Sequence, residues 1–159
     1  MKKLCPLFLI LAFTAPYSSI AQSKQKAETD LLKQLNAILK VSGVQHWAYE
    51  GNMSIDSAFA IAKDGTLSVT VRYTTDSSFV RVRMTAPVAE ISGVGYDLYL
   101  ILEYKTPLVI LYESDPNSME LKEAGKNTLF HIGLPEKDGE EQHTKLQKAV
   151  ENVLKYYNG

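Results

Sequence analysis

The stretch MSIDSAFAIAKDGTLSVTVRY, residues 53–73, decides the fold. Met53, Ile55, Ser57, Phe59 and Ile61 alternate with Ser54, Asp56, Ala58 and Ala60. Further on, Leu67, Val69, Val71 and Tyr73 alternate with Ser68, Thr70 and Arg72. A period of two marks half-buried strands. Between them Lys63-Asp64-Gly65 forms a three-residue hairpin loop, with glycine where a positive φ is needed. Pairing Ala62 with Thr66 predicts Ile61 opposite Leu67, Phe59 opposite Val69 and Ile55 opposite Tyr73. That register gathers the apolar side chains on one face, and one-sided burial is what pins a register.

Toward the C-terminus the pattern continues. Thr75 to Ser78 makes a second turn, which sets Val71 opposite Val82 and Tyr73 opposite Val80 in a third strand over Phe79–Met84. Pro87 interrupts the ladder, and Val88–Gly95, with Gly93 and Gly95, reads as a connection holding a short helical turn. A fourth strand is expected over Asp97–Tyr104, apolar on both faces. A fifth covers Leu108–Glu113, a short sixth Met119–Lys122 and a seventh Asn127–Leu134. Leu98, Leu100 and Leu102 share one face of the fourth strand; Tyr99 and Ile101 share the other, which either a helix covers or an exposed apolar groove uses.

The chain closes on a helix. Asp138 is its N-cap, Glu141 completes the cap three residues on, and Leu146, Ala149, Val150, Val153, Leu154 and Tyr157 form the apolar stripe. Glu141–Lys145 and Glu151–Lys155 are favourable i,i+4 pairs. Upstream, Ala27, Leu31, Leu35, Ile38 and Leu39 predict a helix over Lys24–Val41, ended by Ser42-Gly43. The expected architecture is α+β: one curved antiparallel sheet, a partly open barrel of six to seven strands, with an N-terminal helix and a C-terminal amphipathic helix.

The first 21 of the 159 residues read as a secretory signal peptide. Lys2 and Lys3 precede an apolar run from Leu4 to Phe13, and Ser19-Ile20-Ala21 offers a leader-peptidase site. The run is too short to span a bilayer, which takes about 20 apolar residues. Cleavage after Ala21 leaves residues 22–159 as a single exported α+β domain, periplasmic or secreted. Cys5, the one cysteine, precedes most of the apolar run, the wrong order for lipidation. The mature chain then has no thiol for a disulfide, a metal or nucleophilic attack. Without Lys2 and Lys3 it carries 15 basic and 18 acidic residues, which argues against a nucleic-acid partner. No apolar segment of spanning length follows the leader.

Two groups of side chains stand out. In the derived register Asp56, Arg72 and Arg81 are outward neighbours, with Arg83 one row along. Arginines directly opposite repel, so the group either takes a carboxylate-bearing partner or anion or is neutralised by Asp56. The second group is tyrosine-rich: Tyr99, Tyr104 and Tyr112 on the fourth and fifth strands, where an apolar body with a polar tip suits an interface. His46, His131 and His143 come without a nucleophile motif, and their spacing is not that of a zinc site. No catalytic residue, metal site or cofactor is assigned.

From Met53 onward, the order of seven strands and a final helix resembles pleckstrin-homology-type barrels. The segment Phe130–Glu136, with the capped helix and Ala149-Val150, is similar to the endings of small uncharacterised exported domains of Bacteroidetes-type bacteria. Neither resemblance brings site residues with it. The expected function is a non-enzymatic binding or accessory module of protein-interaction type. A small apolar ligand or lipid carrier, with a cavity between sheet and helix, and a small hydrolase built on a histidine and an acid remain open.

Overall fold

The computed structural model describes residues 16–135 and 138–157. The apolar run Leu4–Phe13 and Cys5, on which the expectation of a leader rests, lie outside them. Helix α1 spans Pro16–Val41, and after a loop come strands β1 (Asn52–Ile61), β2 (Thr66–Thr74) and β3 (Phe79–Pro87). A 3-10 turn at Val88–Glu90 leads to β4 (Ile91–Asp97) and β5 (Tyr99–Tyr104), then β6 (Val109–Ser114), β7 (Leu121–Asn127) and β8 (Leu129–Gly133). Helix α2 is Gly139–Leu154.

The strands form two sheets and not one partly open barrel: a five-stranded sheet in the order β1-β2-β3-β6-β7, and a three-stranded sheet in the order β4-β5-β8. The expectation of a single six- or seven-stranded curve is therefore corrected. Its error lies at Val88–Gly95, read as a connection. Most of it is strand β4, which pairs with β5 through a hairpin whose tip is Leu98. The glycines that make this stretch look like a linker have a packing reason: a Cβ on Gly95 would lie 2.8 Å from Ile101 Cγ1 and 2.7 Å from Glu103 Oε1, side chains of the strand opposite. Glycine in a strand often marks such close approach. With β4 and β8 on its two edges, β5 has no free ladder left for β6. Strand β6 pairs instead with the open edge of β3, and the sheet divides.

The second hairpin has the expected register, with Val71 opposite Val82, Arg72 opposite Arg81 and Tyr73 opposite Val80. The first agrees at its turn, Ile61 opposite Leu67, and then slips. Two irregularities, one between Ile55 and Ser57 and one between Ser57 and Ala60, bring Ile55 opposite Val71 and Met53 opposite Tyr73. Each bulge adds one residue to an edge strand and increases its twist.

One continuous core joins the layers. Leu31, Leu35 and Leu39 from α1, Leu67, Val69 and Val71 from β2, Leu100 and Leu102 from β5, Phe130 and Ile132 from β8, and Leu146, Val150 and Val153 from α2 are all essentially inaccessible. The helices pack on each other, α1 also touching β1 and β8, and α2 touching β4. Helix side chains cover two free strand edges, a common guard against edge-to-edge pairing. The Asn36 amide donates to Phe59 O (3.1 Å) and accepts from Phe59 N (2.8 Å) on β1. His143 Nε2 donates to Val94 O (2.9 Å) on β4. The Asp138 cap forms as expected, accepting from Glu141 N at 3.0 Å. No helix among the described residues is long and apolar enough to cross a membrane.

Candidate functional site

The loop between α1 and β1 reaches both sheets. Its backbone is pinned by the Tyr73 hydroxyl, which accepts from Gln45 N (3.1 Å) and His46 N (3.0 Å). Tyr49 stacks on Tyr73 with ring centroids 5.0 Å apart and donates its hydroxyl to Glu113 of β6. His46 Nδ1 accepts from Ala48 N at 3.0 Å. Held this way, the His46 ring stacks against Trp47 at 5.7 Å and meets His131 of β8 at 4.2 Å. On its other side His131 meets Tyr99 edge-on at 6.0 Å.

Above His131 lies a groove of about 410 Å³ open to solvent. Trp47 and Leu98 stand at its rim, Tyr99, Ile101 and Leu129 form its walls, and Asp97 brings the one carboxylate. The size falls within the usual range for a ligand or side-chain site. A hollow of about 20 Å³ lies beneath, between His46, His131, Asn127 and apolar residues of the large sheet. It has room for about one water, and His131 Nδ1 is buried without a protein partner.

The rim is unusual in two respects. Trp47 is 71% exposed and Leu98 75% exposed, the two most exposed large apolar residues among those described. Leu98 also has φ +64°, a left-handed conformation that costs a residue with a Cβ about 1–2 kcal/mol. The other non-glycine residue with positive φ among those described is Asn117, a type that adopts this conformation readily. A bulky apolar side chain, strained and turned to water, calls for a reason outside the core.

The two histidines and Tyr49 are uncharged at neutral pH. Burial, and then the neighbouring His46, bring the His131 pKa down to about 4. Burial also lowers that of His46, with Glu113 opposing it. Tyr49 is pushed up by burial and by its bond to Glu113, so its phenol stays protonated. No histidine ring among the described residues hydrogen-bonds a hydroxyl or a carboxylate: His46 and His143 use backbone partners and His131 has none. Nor do the described residues contain a group of three or more histidine, cysteine or acidic side chains able to hold a metal.

The arginines named from the sequence lie elsewhere, on the large sheet. Asp56, the extra residue of the first bulge, accepts from Arg81 Nε at 2.6 Å and pairs with Arg72 Nη2 at 3.1 Å. Burial raises its pKa, but the two guanidinium groups outweigh that and hold the carboxyl below its ordinary value. Arg81 donates further to Met119 O (2.7 Å), and Arg72 lies over the Phe79 ring (4.8 Å). The protein's own carboxylate thus occupies the place between the arginines that an external anion would take. Arg83 is exposed beside Tyr112, its cross-strand neighbour. Tyr104 is buried in the core, and burial raises its phenol pKa. Of the six residues named from the sequence, only Tyr99 lines the groove. The sequence signal for the rest was slight: Leu98 continued an inward-facing leucine pattern, and Trp47 lay in a loop.

Comparison with known proteins returned nothing: no protein-family model matches the chain, and neither does any curated protein or solved structure.

Proposed function

We propose that this chain is an exported, non-enzymatic binding module, freed of its leader near Ala21, that docks a protein partner through the groove between Trp47 and Leu98. The observation that carries this reading is Leu98: exposed, apolar and in a backbone conformation that disfavours it. Exposed aromatic and aliphatic side chains around a shallow pocket are the usual anchors of an interface. The groove is open and the hollow below holds only about one water, which favours a partner's side chain over a sequestered apolar ligand or lipid. The hydrolase alternative lacks a histidine coupled to an acid or a hydroxyl among the described residues.

The Leu98→Asn variant tests that observation. Asparagine accepts positive φ and leaves the rim polar, so thermal unfolding should show stability unchanged or raised, by up to about 1 kcal/mol. A loss of 1 kcal/mol or more would mean that packing holds Leu98 in place, and the argument from strain would fall.

A further inference from the structure

Resting on the docking reading above, we infer that the groove selects a peptide segment in which a bulky apolar residue is flanked by lysine or arginine, with Asp97 as the specificity-determining residue. The lining contains no lysine or arginine, and Asp97 is its one carboxylate. Asp97 ends β4 immediately before the hairpin tip, where it is exposed. Among the described residues its carboxylate has no hydrogen bond or ion pair. Two other acids lie nearby: Glu113 is already engaged by the Tyr49 hydroxyl, and Glu103, opposite Leu129, turns its carboxylate against Gly93 and Gly95 of β4, outside the lining.

An unpaired carboxylate at the mouth of an apolar cleft attracts cations and repels anions, and low-dielectric walls strengthen its field. The aromatic side chains act in the same sense. Trp47 and Tyr99 offer ring faces, negative at their centres, to a guanidinium or ammonium group. An apolar anchor fills the space beside Ile101 and Leu129, and a flanking basic group meets Asp97. An acidic flank would place like charges together at the rim.

Trp47 is the chain's single tryptophan, so its fluorescence reports on the groove directly. The test titrates the folded protein with three acetylated, amidated tetrapeptides sharing a Leu-Phe centre and flanked by arginine, glutamine or glutamate. The expected result is a saturable change in Trp47 emission, with the arginine peptide binding about two- to fivefold more tightly than the glutamine peptide and the glutamate peptide weakest. In Asp97→Asn the three should converge to within a factor of about two. Equal binding of all three to the unaltered protein would overturn the charge selectivity and leave the docking groove standing. No saturable change with any of them would overturn both. Saturation by phenethylamine at the same concentrations as the arginine peptide would assign the groove to small organic cations and overturn the peptide reading.

Discussion

Asp56→Ala is expected to lower stability by about 2–3 kcal/mol, a fall in Tm of roughly 4–12 °C. The substitution leaves Arg72 and Arg81 facing each other across β2 and β3 with nothing between them. Both guanidinium groups are partly withdrawn from water, with side-chain exposures of 31% for Arg72 and 17% for Arg81, so solvent screens their repulsion incompletely. The contact of Arg81 with Met119 O also loses its anchor, loosening the loop before β7. A double-mutant cycle separates these effects. In an Arg81→Gln background the same substitution should cost at least about 1 kcal/mol less, because the repulsion is already gone. Strict additivity in thermal unfolding would show that the carboxylate does not act on Arg81.

The second large effect is pH dependence. An unfolded histidine takes up its proton near pH 6.5, whereas His131 in the fold does so only at about 4. Between those values the unfolded chain binds more protons, so stability falls as pH is lowered through the window and is regained as pH rises. The expected loss for His131 is about 3 kcal/mol, with His46 adding to it in the same direction. This window lies above the one set by Asp56, whose stabilisation persists until pH falls below the ordinary carboxylate range. His131→Phe should flatten the slope between pH 6.5 and pH 4 without loss of stability at pH 7.5, since it removes a buried nitrogen that has no partner. An unchanged slope in urea unfolding across that range would show that His131 is not the titrating group.

What could be read beforehand follows a physical division. The β2–β3 register was legible because Val71, Tyr73, Val80 and Val82 alternate without interruption and the turn is short. Helix α2 was legible from Asp138 and its stripe, both of them local signals. The bulges in β1 were not, because Ser57 continues the inward series and Ala58 the outward one without a break, and the extra twist arises where the strand meets Asn36 of α1. The division into two sheets depends on which distant edge β6 finds open, and no local pattern encodes that. The tyrosine-rich face carrying Tyr99 and Ile101 was identifiable as a place with two possible fates. That Trp47 and Leu98 complete it depended on a loop pinned by Tyr73 and on a single left-handed residue.

The most direct measurement of the docking claim is site-specific photocrosslinking in the cell that makes the protein. Benzoylphenylalanine in place of Leu98, and separately in place of Arg83 on the large sheet, reports what each surface meets. One discrete protein adduct from position 98, absent from position 83 and lost when Asp97 is also changed to Lys, is the predicted result. Adducts of equal yield from both positions, or none from position 98, would contradict the assignment of the groove as the docking surface.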